Sequence, residues 1–167
     1  MIAIIDYGMG NLFSVEKAFV KLGAEVVVTS EGAFGDCMKN LETSGLIPII
    51  METAASGKPF LGICLGLQVM FEGSEEAPGI KGLGIFKGLV KKIVAPKLKI
   101  PHMGWNSLKM AERSPLLDSL PENPYVYFVH SFHAVPSEEN IVTAFVEYGG
   151  KVTAAVGKKN VQAMQFH

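Results

Sequence analysis

The sequence predicts an α/β fold: an open, mostly parallel sheet flanked by helices, with antiparallel additions in its second half. Three observations lead there. The chain opens on a strand-helix-strand pattern, a short apolar run near Ile63 feeds directly into a helical one, and from Leu83 onward the pattern turns β-rich. Short continuous apolar runs suit strands covered on both faces, and a helix between two of them makes the βαβ unit of a parallel sheet.

Ile2 to Ile5 is the first such run, followed by the turn Asp6-Tyr7-Gly8-Met9-Gly10. Leu12, Val15, Ala18, Phe19 and Leu22 then share one helical face, and Gly23 stands where a C-terminal cap belongs. The β-branched stretch Glu25 to Thr29 reads as the second strand. Helices are predicted near Asp36 to Leu41 and over Ile47 to Ala55, a buried strand over Pro59 to Ile63, and a helix over Leu65 to Phe71. Predicted strands in the second half are Leu89–Val94, Tyr125–Phe132, Ile141–Glu147, Lys151–Val156 and Val161–Phe166, with Gly149-Gly150 as a hairpin turn. No repeat or linker interrupts the 167 residues, which fit one domain.

Composition narrows the function. A hydrophobic fraction of 49% supports a real core, and a net charge of −1 lacks the basic excess of a nucleic-acid binder. The first residues have no basic n-region, and the longest largely apolar run, Phe60 to Phe71, is well short of a bilayer span. The two cysteines, Cys37 and Cys64, make no disulfide framework, so the expectation is a cytoplasmic protein with no membrane contact. Position 13 is Phe where a dinucleotide fingerprint needs its third glycine, and no C-x-x-C is present, so no cofactor or metal is expected.

The chemistry gathers at Gly62-Ile63-Cys64-Leu65-Gly66, a cysteine form of the nucleophile elbow. A nucleophile on a sharp strand-to-helix turn sits on strained backbone, and glycines two residues to either side let neighbouring backbone pass without a Cβ clash. The side chain then lies at the carboxyl end of a strand, where open α/β sheets bind ligands. The following helix N-terminus favours thiolate over thiol, and the Leu65 amide becomes an oxyanion donor. The competing reading is an ordinary buried cysteine. At typical glycine usage near 7%, both flanking glycines fall there by chance in roughly 0.5% of cases, which favours the nucleophile. Cys37 has none of this context and reads as structural. A base is needed as well, because an ordinary thiol is only a few per cent ionised at neutral pH. His130 and His133 flank a strand end, His102 lies in a loop, and His167 closes the last strand. Position leaves His167 and His130 both open as the base, with the preference for His167.

These residues resemble the class I (triad-type) glutamine amidotransferases, with a flavodoxin-like sheet. The resemblance narrows to the glutaminase subunits of imidazole glycerol phosphate synthases, from histidine biosynthesis. It is carried by Ile4-Ile5-Asp6-Tyr7-Gly8-Met9-Gly10-Asn11, Gly32-Ala33-Phe34-Gly35-Asp36, Gly57 to Gln68, Pro101-His102-Met103-Gly104-Trp105-Asn106, Tyr127 to Ser131 and Gln165-Phe166-His167. It implies that Cys64 attacks the carboxamide carbon of glutamine, that His167 passes the proton to the leaving ammonia, and that a glutamyl thioester is hydrolysed. Gln68, His130, Ser131 and Gly32 would hold the glutamine. His102, Trp105 and Asn106 would face a (β/α)8-barrel cyclase partner, which turns the ammonia and a phosphoribulosyl formimino-carboxamide nucleotide into imidazole glycerol phosphate and an aminoimidazole carboxamide ribotide. A thiol hydrolase of the DJ-1/PfpI type shares the elbow but gives no reason for the Pro101 to Asn106 stretch. A non-catalytic binding module is the third reading.

The sequence departs from the family pattern at two places. The family continues past the histidine as Pro-Glu, whose glutamate orients the imidazole, and it carries a helix, a strand and a Pro-Gly-Val-Gly turn before the stretch matching Gly32 to Asp36. Here Ser30-Glu31 runs almost directly into Gly32. The expectation is that the polypeptide has further residues between Ser30 and Glu31 and after His167.

Overall fold

The computed structural model describes residues 33–167. The expected first βαβ unit, Gly32 and the Ser30-Glu31 junction lie outside the described residues. Helix α1 spans Phe34–Thr43 and buries Phe34, Cys37, Met38 and Leu41, the i, i+3, i+4, i+7 stripe of one helical face. Helix α2, Ile47–Ala55, begins with Pro48 in its first turn, where a missing N–H costs nothing. Strand β1 (Phe60–Ile63) passes through Cys64 into the short helix α3 (Leu65–Val69). The described helix ends before Phe71, two residues earlier than its periodicity predicts.

The second half is β-structure. Strands β2 (Gly88–Lys92), β3 (His102–Ser107), β4 (Lys109–Met110), β5 (Tyr125–His130) and β6 (Phe132–Pro136) precede β7 (Val142–Glu147), β8 (Lys151–Lys158) and β9 (Val161–Met164). The main sheet is five-stranded in the order β1-β9-β8-β7-β4, and β2-β6 and β3-β5 form separate two-stranded ribbons. Of these pairings only β1 with β9 is parallel; the others are antiparallel. Among the described residues the sheet is therefore mixed rather than mostly parallel. The reason is connectivity: β7, β8 and β9 are joined by turns too short for a crossover, so they must run antiparallel. The predicted Gly149-Gly150 turn closes the first of these hairpins, with the Tyr148 N–H donating to Gly150 O at 2.8 Å.

Two strand predictions need correction. Tyr125–Phe132 is not continuous: the chain breaks at Ser131, and Phe132 starts β6 on a different partner. The stretch Pro101 to Asn106, expected as a loop, is largely β3, paired with β5 from His102↔His130 to Ser107↔Tyr125. It reads as a loop because it is flanked by proline and contains Gly104, whose φ of +131° few other residues adopt.

The core falls into neighbouring clusters. One lies under β5, β7 and β8 (Leu108, Phe128, Ala144, Val146, Ala154), and one joins α3 to β8 and β9 (Leu67, Phe71, Val90, Val156, Ala163). A third packs α1 against α2 and α3 through Phe34, Cys37, Leu41, Ile50 and Val69. Together they fix β1 and β9 side by side with their carboxyl ends at one edge, and that edge carries the site.

Candidate active site

Cys64 sits at the end of β1 with φ 53° and ψ −109°, backbone that a non-glycine residue adopts only under constraint. Three hydrogen bonds supply the constraint. Its N–H donates to Met164 O at 2.7 Å, and its carbonyl accepts from Leu67 N at 3.1 Å and Gln68 N at 3.3 Å. The flanking glycines do what the spacing requires. A Cβ on Gly62 would stand 2.9 Å from Gly66 O and 3.0 Å from Gly66 C, so the two arms of the turn touch backbone to backbone. Such an arrangement costs about 1–3 kcal/mol of local strain, carried by the surrounding packing.

Burial pushes the Cys64 thiol above its ordinary pKa. The Leu65 amide N–H and the Gln165 side chain hydrogen-bond the sulfur and act the other way, but burial prevails. The helix end expected to favour the thiolate is short, α3 having five residues, and desolvation outweighs the donors there, so the sulfur rests as a thiol and needs the base that the sequence reading expects. Cys37, wholly buried in the α1 cluster, is also pushed up, by burial alone.

Cys64 opens into a cleft of about 350 Å³, lined also by Ala33, Leu65, Gln68, Glu76, Pro101, Val129, His130, Ser131 and Phe132. That is room for a free amino acid. Gln68, His130, Ser131 and Leu65, all named from the sequence, meet here. Glu76 was missed, because nothing in its sequence neighbourhood marks a carboxylate that folds back over α1. It accepts the Phe34 N–H at 3.1 Å. Gln165 was also missed as a site residue, although it lies in a quoted motif. Its side chain is fully buried, and its Nε2 donates to Cys64 Sγ at 3.6 Å.

The histidines separate by their partners. His130 Nδ1 lies 2.8 Å from Phe132 O, and a carbonyl only accepts, so Nδ1 carries the proton. Burial and the neighbouring His102, His133 and His167 lower its pKa to about 4, so the ring is neutral and Nε2 is an acceptor. His102 Nδ1 donates to it at 3.2 Å, and His102 Nε2 in turn accepts from Asn106 Nδ2 at 3.3 Å. Both nitrogens of His130 are therefore occupied. His167 follows β9 on the same sheet edge as Cys64, with its N–H bonded to Tyr127 O at 3.1 Å. Burial lowers its pKa. Its ring makes no hydrogen bond to Cys64 and does not line the cleft.

Alternation along β3 sorts the remaining residues. His102 points inward, 2% exposed and stacked on Phe128 and Tyr148 at ring distances of 4.6 and 3.9 Å. Its expected place on a partner-facing surface is corrected, since a strand turns successive side chains to opposite faces. Asn106 also points inward, donating to Glu147 O at 3.2 Å. Trp105 points out at 70% exposure, beside Met103, Tyr125 and Val129.

A family model for class I glutamine amidotransferases matches residues 31–167. The chain belongs to the class I glutamine amidotransferase family. Its curated relatives in that family include the imidazole glycerol phosphate synthase subunit HisH of Oceanobacillus iheyensis, 46% identical, covering 100% of this chain and 90% of the relative. The HisH subunit of Methanothermobacter thermautotrophicus is 47% identical at 100% and 89% coverage, and that of Aquifex aeolicus 46% identical at 98% and 86%. The first alignment runs over 182 positions against the 167 residues of this amidotransferase chain, so the relative carries residues within the matched span that this chain lacks. A crystal structure of a glutamine amidotransferase superposes with a TM-score of 0.74 at 15% identity, covering 100% of this chain and 90% of the other. A second, from Thermotoga maritima, gives 0.69 at 12% identity with 99% and 75% coverage. Both are likenesses of fold. Among the described residues no helix is long and apolar enough to cross a membrane.

Proposed function

We propose that this chain is the glutaminase subunit of an imidazole glycerol phosphate synthase, hydrolysing glutamine on Cys64 and delivering ammonia to a (β/α)8-barrel cyclase subunit in the cytoplasm. The observation that carries the reading is the elbow itself. A thiol held at positive φ, with the Leu65 N–H at its sulfur, opens into a cleft the size of an amino acid. Near-full-length likeness to HisH subunits supplies the pathway.

In this reading the thiol proton passes to the His167 imidazole as sulfur attacks the glutamine carboxamide carbon. The carbonyl oxygen takes the negative charge against the Leu65 amide. Collapse breaks the C–N bond, and the imidazolium returns its proton to the departing ammonia. Water then gives a proton to the imidazole and cleaves the thioester, releasing glutamate and restoring the thiol. The raised thiol and lowered imidazole make the resting pair neutral, so proton transfer accompanies attack instead of preceding it. Gln68 spends both amide protons inside the protein, which leaves its Oε1 to accept from the substrate ammonium. The Glu76 carboxylate on the cleft wall supplies the opposing charge, and Ser131 completes the described part of the amino-acid pocket.

The same reading keeps one domain over residues 1–167. The outward face of β3 and β5, centred on Trp105, is the partner surface, and Asn106 and His102 hold that ribbon from behind. The test is Cys64→Ala in the complex with its cyclase. Glutamine-dependent synthesis should vanish, while synthesis from free ammonium continues on the partner. Turnover that survives on glutamine would remove Cys64 from the role.

A further inference from the structure

One buried side chain at the elbow has no part in the steps above. Gln165 is 0% exposed, and its backbone is pinned by donation from its N–H to Ala154 O at 2.8 Å. Its amide bridges two groups of the site: Nε2 donates to Cys64 Sγ at 3.6 Å, and Oε1 accepts from Gln68 Nε2 at 3.0 Å. Gln68 Nε2 has a second acceptor, Phe132 O, at 3.2 Å.

These bonds fix which end of Gln165 meets the sulfur. Phe132 O can only accept, so the NH2 of Gln68 must face it, and the second proton of that NH2 then needs an oxygen. Gln165 supplies it, which turns its own NH2 toward Cys64. Reversing the Gln165 amide would set NH2 against NH2 and an oxygen against sulfur. Phe132 O also receives His130 Nδ1–H, so the donor aimed at Cys64 is the last member of a chain running from Asn106 through His102, His130 and Gln68.

We infer that Gln165 is a positioning residue for the glutaminase reaction: it steers the Cys64 sulfur and stabilises the thiolate, while its other end orients Gln68 toward the substrate. The inference rests on Cys64 as the nucleophile only for its catalytic consequence; the contact itself can be tested without it. A donor to an anion is favoured over the same donor to a neutral thiol, so the bond tightens as sulfur gains charge. Glutamine also carries a donor and an acceptor on one rigid plane, which is what a bridge between a thiolate and an amide NH2 requires.

Gln165→Glu separates this role from a structural one. It keeps an oxygen for Gln68, and at the sulfur it replaces the amide donor with a carboxylate oxygen and its negative charge. Iodoacetamide labelling of Cys64, read on its own peptide along the rising limb of the pH–rate profile, should show that limb and its midpoint moved up by about one pH unit or more, with labelling about tenfold slower at a given pH. In the complex with the cyclase subunit, glutamine-dependent kcat should fall about tenfold or more, with KM for glutamine little changed. Gln165→Met, which deprives Gln68 of its acceptor as well, should lower kcat and raise KM together. A labelling midpoint in Gln165→Glu equal to that of the parent protein overturns the inference. Retained glutaminase activity in Cys64→Ala would overturn the nucleophile instead and leave the labelling result standing, so the two failures are distinguishable.

Discussion

At Cys64 two opposing effects act on one sulfur. Desolvation holds it as a thiol, and the Leu65 and Gln165 donors hold it ready to ionise, with desolvation the larger at rest. A ligand that carries polar groups into the cleft changes that balance without moving the backbone. The backbone is the costlier element to disturb. Gly62→Ala would place a methyl 2.9 Å from Gly66 O and 2.7 Å from Met70 Cε. The methionine can turn away, but the carbonyl cannot. We expect a loss of about 1–3 kcal/mol, read from urea unfolding, together with a fall in glutaminase activity larger than the stability loss explains. An alanine variant with parental stability and activity would show that the turn is looser than its geometry states.

The β3-β5 ribbon is the element that sequence reasoning handled least well, and the one with most to say about partners. Its inner face is a polar chain packed under aromatic rings, and its outer face presents Met103, Trp105, Tyr125 and Val129, each more than 40% exposed. Trp105 meets Tyr127 edge-on at 5.8 Å. An exposed aromatic anchor among apolar neighbours is the usual composition of an interface centre. Trp105→Ala should therefore weaken association with the cyclase subunit by about 2 kcal/mol or more, read by calorimetry. Because the side chain is 70% exposed, the stability of the subunit alone should change by under about 0.5 kcal/mol. Unchanged association would move the partner surface elsewhere.

For the molecule as a whole, the histidines tie stability to pH, above all His102 and His130, which are buried. Burial lowers the pKa of His102, His130, His133 and His167, and that of His130 falls to about 4. The folded chain then binds fewer protons than the unfolded one between the ordinary histidine pKa of 6.5 and about 4. Unfolding is favoured as protons are added, so stability is full above the upper limit and is lost as pH falls through the window. His130 alone corresponds to roughly 3 kcal/mol across that range. Urea midpoints measured from neutral pH downward should decline through the window, and His130→Gln should flatten the decline. A flat profile would mean that these rings are not neutral in the folded state.

The sequence by itself determined the helices at Ile47–Ala55 and around Asp36 to Leu41, the strand entering Cys64, the hairpin at Gly149-Gly150, and the elbow with its glycines. All of these follow from local periodicity or from the steric needs of a few consecutive residues, and such terms are written in order along the chain. Only the tertiary structure decided that Pro101 to Asn106 is largely a strand, that His130 is already tied at both nitrogens, and that His102 faces inward. Only it brought Gln165 to the sulfur of Cys64, across 101 positions of sequence, and Phe132 O to Gln68, across 64. Those facts depend on which strand a residue is paired with and which way its side chain then points. A shift of one residue in register reverses every one of them, so no local pattern can encode them.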